Sequence, residues 1–183
     1  MLDCRPGEID AAAMQLMLLR HAKAEKGVPG MRDRDRRLNA RGQGDAAIIA
    51  AYMARHDLQP RRVLVSSAQR TRETWGCMAE TFAAAPVAYE DRLYESGPEP
   101  ILAVIRELGR SASALLVIGH NPGLYDTARL LLTAREARQF DDGLPTAGLV
   151  VIDFAGEDWR KLALRSGKLV RFVTPRFIKD AKA

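Results

Sequence analysis

Apolar positions along this chain come in short blocks separated by polar turns. Gln15-Leu16-Met17-Leu18-Leu19 is a run consistent with a buried strand, and it stops at Arg20-His21. Residues 61–67 predict a second strand that closes on two hydroxyls, Ser66 and Ser67. Residues 86–89 predict a short strand. Residues 114–118 form a nearly continuous apolar strand that ends in Gly119-His120-Asn121-Pro122-Gly123. Further strands are expected over 146–154, 159–164 and 168–173. Helical spacing lies between them. It covers 42–56, where Ala46, Ile49, Ala50 and Met53 share one face, and then 69–83, 98–110 and 123–134. Pro98 suits the first turn of its helix. Residues 26–37 carry Gly27, Pro29 and Gly30, then alternating Arg and Asp up to Arg37, and predict a loop whose charges face water. Strands alternate with helices, and their apolar runs imply burial on both faces. The expected fold is α/β: a three-layer α/β/α sandwich with a mostly parallel central sheet.

Residues 1–13 form a polar, Ala-ended stretch. They are expected to be an N-terminal extension, either disordered or an overlong gene assignment with the true start at Met14. Residues 14–183 are expected to make a single domain. A chain of 183 residues suits one hydrophobic core. With 47% hydrophobic and 28% charged residues, disordered and fibrous classes are excluded. Cys4 and Cys77 make neither a disulfide framework nor a zinc motif. No apolar run reaches the roughly 18 residues of a membrane span, and the N-terminus lacks a signal-peptide layout. The expected location is cytoplasmic, with no membrane partner. The net charge is +5, and of the 28 basic residues only six are Lys. Arg suits bidentate phosphate binding, but a compositional bias gives the same count.

The chemistry collects at strand ends. In parallel sheets, ligands sit outside the carboxyl ends of the strands. Two of the three histidines, His21 and His120, lie at such ends. The third, His56, follows a helix beside Asp57 and reads as a cap favouring the helix dipole. A lone histidine at a strand end is more often packed than functional. Arg20 changes the odds for His21: a cation beside an apolar strand needs a counter-anion, no acid adjoins it, and a phosphate would serve. Gly119 and the turn Asn121-Pro122-Gly123 fit an anion site at a helix start, or simply a strand-to-helix turn. Arg70 follows Ser66-Ser67-Ala68-Gln69 and is the arginine expected to face the crevice, leaving Arg72 solvated. Ser66 and Ser67 either donate to phosphate or cap the helix bearing Arg70. Two imidazoles and two guanidiniums suit phosphoryl transfer without a metal or cofactor. A neutral histidine attacks phosphorus, while guanidiniums and a second, protonated histidine hold the equatorial oxygens. Adjacent arginines and the missing ligand spacing argue against zinc, and no Gly-x-Ser-x-Gly supports a serine hydrolase.

These residues resemble the histidine phosphatase superfamily (phosphoglycerate-mutase-like), and its small SixA-type phosphohistidine phosphatase branch in particular. The resemblance rests on Leu18-Leu19-Arg20-His21-Ala22-Lys23-Ala24, Arg37-Leu38-Asn39-Ala40-Arg41-Gly42, Val65 through Thr74, Leu93-Tyr94-Glu95, and Val117 through Leu124. These blocks occur in family order over about 14–125. The resemblance implies that His21 is a nucleophile that becomes transiently phosphorylated. Arg20, Arg70 and His120 would make the phosphate pocket, and water would then hydrolyse the phosphohistidine. Arg-His-Ala and the short chain favour the SixA-type branch over mutases. Ala68 stands where members commonly have Pro. Larger members use a carboxylate as general acid. Glu95 is the nearest candidate by position, and a solvated loop acid is the plainer alternative. Ser67, Asn121 and Lys23 are expected to bind substrate, with Arg41 also near the mouth.

The expected activity is a metal-independent phosphatase acting on phosphohistidine in a protein. A phosphomonoesterase for a small phosphorylated metabolite and a phosphoprotein-binding module without turnover are the alternatives. Nucleic acid is not expected as a partner, because basic residues interleave with acids and no stacking platform is present. A monomer suits a chain of this size.

Overall fold

The computed structural model describes residues 13–110, 112–138 and 143–181. Of the extension expected at 1–13, all but Ala13 lies outside them; Ala13 opens the first strand. Cys4 lies outside them as well.

Six strands form one sheet: β1 (Ala13–Arg20), β2 (Arg62–Ser66), β3 (Val87–Glu90), β4 (Ala114–Gly119), β5 (Leu149–Ala155) and β6 (Lys168–Val173), in the order β3-β2-β4-β1-β5-β6. The pairs β3–β2, β2–β4 and β4–β1 are parallel, while β5 runs antiparallel to β1 and β6. The sheet is therefore mostly parallel, with one reversed strand. Side chains alternate between its faces, as strand geometry requires. Leu16, Leu18, Leu115 and Val117 enter one core, and Met17, Leu19, Leu116 and Ile118 enter the other.

The helices cover both faces. They are α1 (Ala40–Arg55), α2 (Gln69–Gly76), α3 (Pro98–Leu108), α4 (Gly123–Leu131), α5 (Ala134–Ala137) and α6 (Pro175–Asp180). Ile49 and Met53 of α1, Trp75 of α2 and Ile178 of α6 pack on one face. Ile101, Leu102 and Ile105 of α3 and Leu124 and Leu131 of α4 pack on the other. The expected three layers are present. The helices that follow the adjacent strands β1 and β4 lie on opposite faces, so a crevice opens between the carboxyl ends of those strands.

Several boundaries differ from the sequence expectation. The helix predicted over 69–83 ends at Gly76; successive three-residue turns follow, with Met78 N bonded to Trp75 O and Thr81 N to Met78 O. The strand predicted over 159–164 is a single 3-10 turn, Trp159–Lys161. Its apolar residues Trp159 and Leu162 are three apart, a helical rather than an alternating spacing, and both enter the core. The helix predicted over 123–134 breaks at Leu132, whose backbone is extended, before α5 begins. The strand predicted from 146 begins at Leu149, because Gly148 N bonds back to Pro145 O in a turn. Helix α6 was not foreseen; Thr174 caps it and Pro175 occupies its first turn. His56 is the C-cap residue of α1, as expected.

Candidate active site

His21 lies one residue past β1. Its backbone N donates to Gly119 O at 3.0 Å, which extends the β1–β4 pairing to this residue. Its Nδ1 lies 2.8 Å from the carbonyl oxygen of Ala22. A carbonyl only accepts, so Nδ1 carries the hydrogen and Nε2 keeps its lone pair. Nε2 accepts from Nε of Arg70 at 3.3 Å. Burial and the charges of Arg70, Arg20 and Arg36 push the imidazole pKa down to about 4, against the opposing bond to Ala22. His21 is therefore neutral at pH 7.

Arg70 comes from the first turn of α2 and is only 3% exposed. Its Nη1 donates to the backbone oxygen of Asp33 at 2.8 Å, and its Nη2 lies 2.9 Å from the Asp33 carboxylate. Nη2 also reaches Nδ1 of His120 at 3.2 Å and Oε1 of Glu95 at 3.4 Å. Arg72 is exposed and stacks over Tyr89, so Arg70 is the inward arginine, as expected.

His120 is 4% exposed, and its ring centroid lies 5.2 Å from that of His21. Arginine only donates, so Nδ1 of His120 accepts from Arg70 and Nε2 carries the hydrogen toward Ser66 Oγ at 2.8 Å. Burial, His21 and Arg70 push its pKa down to about 3. Burial beside an arginine thus disfavours the protonated form of His120.

One buried hydroxyl joins the two halves of the site. Thr74 Oγ1 accepts from Ala22 N at 3.0 Å and donates to Arg70 O at 2.7 Å. Ala22 thereby holds His21 through its carbonyl and is itself fixed to α2 through its N–H. Glu73 adds a second tie, accepting from Gln69, from Arg37 and from Leu38 N, so the loop before α1 is anchored to α2. Gly42 lets α1 lie against the loop after His21: a Cβ there would fall 2.1 Å from Lys23 O. Gly123 does the same for the Glu95 turn, where a Cβ would fall 1.9 Å from Ser96 O.

A cavity of about 230 Å³ opens over these groups, lined by Arg20, His21, Lys23, Asp33, Arg36, Arg70, Glu95, His120 and Asn121, with Ala24 and Thr146. The structure brings together seven of the eight residues singled out from sequence. Arg20 Nη1 and Asn121 Nδ2 both donate to Leu144 O, at 2.9 and 2.8 Å, while Arg20 Nε and Asn121 Oδ1 are buried without a protein partner. Glu95 stands at the rim, 54% exposed along its side chain, in the left-handed region at φ 46°. This conformation is unusual for a non-glycine residue.

Ser67 is the exception. Its hydroxyl bonds Asp91 and is bonded by Arg34, and it does not line the cavity. Neither serine caps α2: the N-cap is Ala68, and it offers no side-chain bond. Its φ of −63° is the value proline would hold, so the turn keeps its shape without the ring. Arg41 turns away to Asp45 at 3.5 Å.

Sequence reasoning missed Asp33, Arg36, Tyr94 and Thr146. The run at 32–37 reads as a solvated surface, yet Asp33 and Arg36 line the cavity, because Arg70 and Tyr94 draw Asp33 inward. Tyr94 donates its hydroxyl to Asp33 Oδ2 at 3.0 Å, and Arg36 Nη1 lies 2.7 Å from Asp33 Oδ1. Burial alone would raise the Asp33 pKa, but bonds from Arg36 and Tyr94 and the Arg70 charge hold it well below the usual carboxylate range. The run's location between His21 and α1 was the available signal. Among the described residues, no group of three or more His, Cys, Asp or Glu could hold a metal ion, and no helix is long and apolar enough to cross a membrane.

A neutral imidazole with its lone pair facing a guanidinium, at the carboxyl ends of the parallel strands, is chemistry suited to phosphoryl transfer. Comparisons agree. The family model for the Histidine phosphatase superfamily (branch 1) matches residues 16–98. An uncharacterized protein of Mycobacterium leprae is 32% identical over 166 residues, which is 86% of this chain and 100% of that protein. A crystal structure from Agrobacterium tumefaciens, described as a candidate phosphohistidine phosphatase SixA, is 31% identical with a TM-score of 0.78, covering 88% of this chain and 98% of that one. The protein histidine phosphatase SixA complexed with tungstate shares the fold at 18% identity and a TM-score of 0.72, covering 90% of this chain and 99% of that one. The chain belongs to the histidine phosphatase superfamily. Its fold is phosphoglycerate-mutase-like, and its relatives place it with the SixA-type phosphatases.

Proposed function

We propose that the protein hydrolyses phosphohistidine in a protein through a phosphohistidine formed on His21. The observation that carries this reading is the His21 ring itself, with Nδ1 bound to the Ala22 carbonyl and Nε2 left as a lone pair toward Arg70 and the cavity. Likeness to SixA-type structures supports the choice of substrate.

In the first step the Nε2 lone pair attacks phosphorus. The bond from phosphorus to the leaving imidazole nitrogen breaks with its electron pair staying on that nitrogen, and the substrate ring, already protonated on its other nitrogen, departs as neutral imidazole. Arg20, Arg70 and His120 hold the equatorial oxygens, where charge spreads in the transition state. An arriving phosphoryl anion raises the pKa of His120; the ring then takes a proton from solvent on Nδ1 in place of its bond from Arg70, and that N–H hydrogen-bonds a phosphoryl oxygen. In the second step water attacks phosphorus and the P–N bond to His21 breaks, releasing orthophosphate. Lys23 and Asn121, on the cavity wall, help receive the substrate.

Glu95 favours a second reading. Glu95 at the rim beside Arg70, once protonated, can give its carboxyl proton to an ester oxygen, as a phosphomonoesterase of the same fold would need. A panel of phosphohistidine protein, sugar phosphates and p-nitrophenyl phosphate separates the two. The first reading predicts preference for phosphohistidine, little change in Glu95→Gln, and no loss in EDTA. Preference for an ester with a much slower Glu95→Gln establishes the second.

A further inference from the structure

Asp33 has no role in the reaction just described, yet it holds the central cation of the site. Its Oδ2 lies 2.9 Å from Nη2 of Arg70 and accepts from Tyr94 at 3.0 Å, and its Oδ1 lies 2.7 Å from Arg36. Nη2 is also the atom of Arg70 that meets His120, so it faces the space between the two imidazoles. A phosphoryl group seated there must share that nitrogen with a carboxylate already in place.

We infer that Asp33 is a resident counter-anion of the phosphate pocket: it competes with bound oxyanions for Arg70 and so keeps the site's affinity for free orthophosphate low. Three features make the carboxylate a fixed competitor rather than a passing contact. It is clamped from two sides by Arg36 and Tyr94. Its backbone oxygen takes a further bond from Arg70 Nη1 at 2.8 Å, so loop and guanidinium move together. It sits in the single turn Asp33–Asp35, which the Arg36 bond also closes.

The effect is selective. Orthophosphate brings up to two negative charges against the carboxylate, whereas a metaphosphate-like transition state carries less charge on the transferred group. An anion fixed beside the pocket therefore penalises the product more than the transition state, and only such differences help turnover. Glu95 shares Arg70 more loosely, at 3.4 Å from the exposed rim, and is the weaker competitor.

The inference rests on Arg70 being a phosphate ligand, and its test separates the two claims. The inhibition constant of inorganic orthophosphate is measured against a chromogenic phosphate ester for the wild type, Asp33→Asn, Asp33→Ala, Asp35→Asn and Arg70→Gln. Asp35 removes the same charge two residues away, where it pairs with exposed Arg32. Asp33→Asn and Asp33→Ala are expected to bind orthophosphate about tenfold more tightly, with Asp35→Asn within about twofold of wild type. The orthophosphate-induced rise in melting temperature should grow in parallel, which also reads binding if a variant turns over too slowly to assay. Unchanged or weaker binding in both Asp33 variants overturns the inference, since a carboxylate that merely positions Arg70 loses affinity when removed. If Arg70→Gln binds orthophosphate as well as the wild type, the pocket assignment itself is overturned.

Discussion

Nε of Arg70 donates toward Nε2 of His21 across 3.3 Å. The lone pair of the proposed nucleophile thus faces a guanidinium that arrives from a different strand-to-helix turn, and the charge lowers the proton affinity of the ring it faces. A phosphoryl group entering between them meets a neutral nitrogen on one side and a cation on the other.

Replacing Arg70 should therefore damage chemistry more than folding. Arg70→Lys keeps the charge but loses the planar fork that spans His21, His120 and Asp33. The expected loss in kcat/KM is about 10²- to 10³-fold, the scale of losing one transition-state donor. Steady-state kinetics with circular dichroism as a fold control checks it. A variant within tenfold of wild type contradicts the role.

The two active-site imidazoles should titrate far below an ordinary histidine. NMR of ¹⁵N-labelled protein, with only three histidines to assign, should find His21 near pH 4 and His120 near pH 3 in the ligand-free state. Between about pH 6.5 and 4 the unfolded chain binds protons that the folded chain refuses, so stability rises with pH across this window and is lost as pH falls. Midpoints near 6.5 contradict the burial argument.

Thr74 should behave as a positioning residue. Thr74→Val removes the hydroxyl that joins Ala22 N to Arg70 O and should lower kcat about 10- to 100-fold with a smaller change in KM. Thr74→Ser keeps that hydroxyl and should restore most of the rate. If serine fails to rescue while both variants melt alike, the hydroxyl is not what matters.

Much of this site was legible in the chain. His21, Ser66 and His120 follow or end apolar runs, and parallel strands bring such ends together whatever the loops do. Arg70 was legible because a helix must start there and position 72 cannot share its direction. Asp33 and Arg36 were not, because alternating charge is the pattern of a solvated loop and only Arg70 and Tyr94, distant in sequence, turn it inward. Ser67 misled for a related reason: it adjoins Ser66, but successive residues at a strand end face opposite ways, and Ser66 took the side of His120. The predicted strand at 159–164 failed because Trp159 and Leu162 lie three apart, the spacing of a helical turn, and enter the core together.

Two glycines on one turn of α1 offer a paired stability test. A Cβ at Gly42 would fall 2.1 Å from Lys23 O, whereas nothing lies within 4 Å of one at Gly44. Gly42→Ala should destabilise by about 2 kcal/mol or more through overpacking against backbone. Gly44→Ala should be neutral or stabilising by up to about 1 kcal/mol from helix propensity. Thermal or urea unfolding of both variants reads the difference, and equal effects contradict the close approach of α1 to the nucleophile loop.

The central claim is that phosphate passes through His21. Radiolabelled substrate is mixed with enzyme, quenched within milliseconds into alkaline denaturant, and the labelled peptide mapped. The account predicts alkali-stable, acid-labile phosphate on His21, absent from His21→Ala, which should also lose turnover. Label on another residue, or turnover retained in His21→Ala, would contradict it.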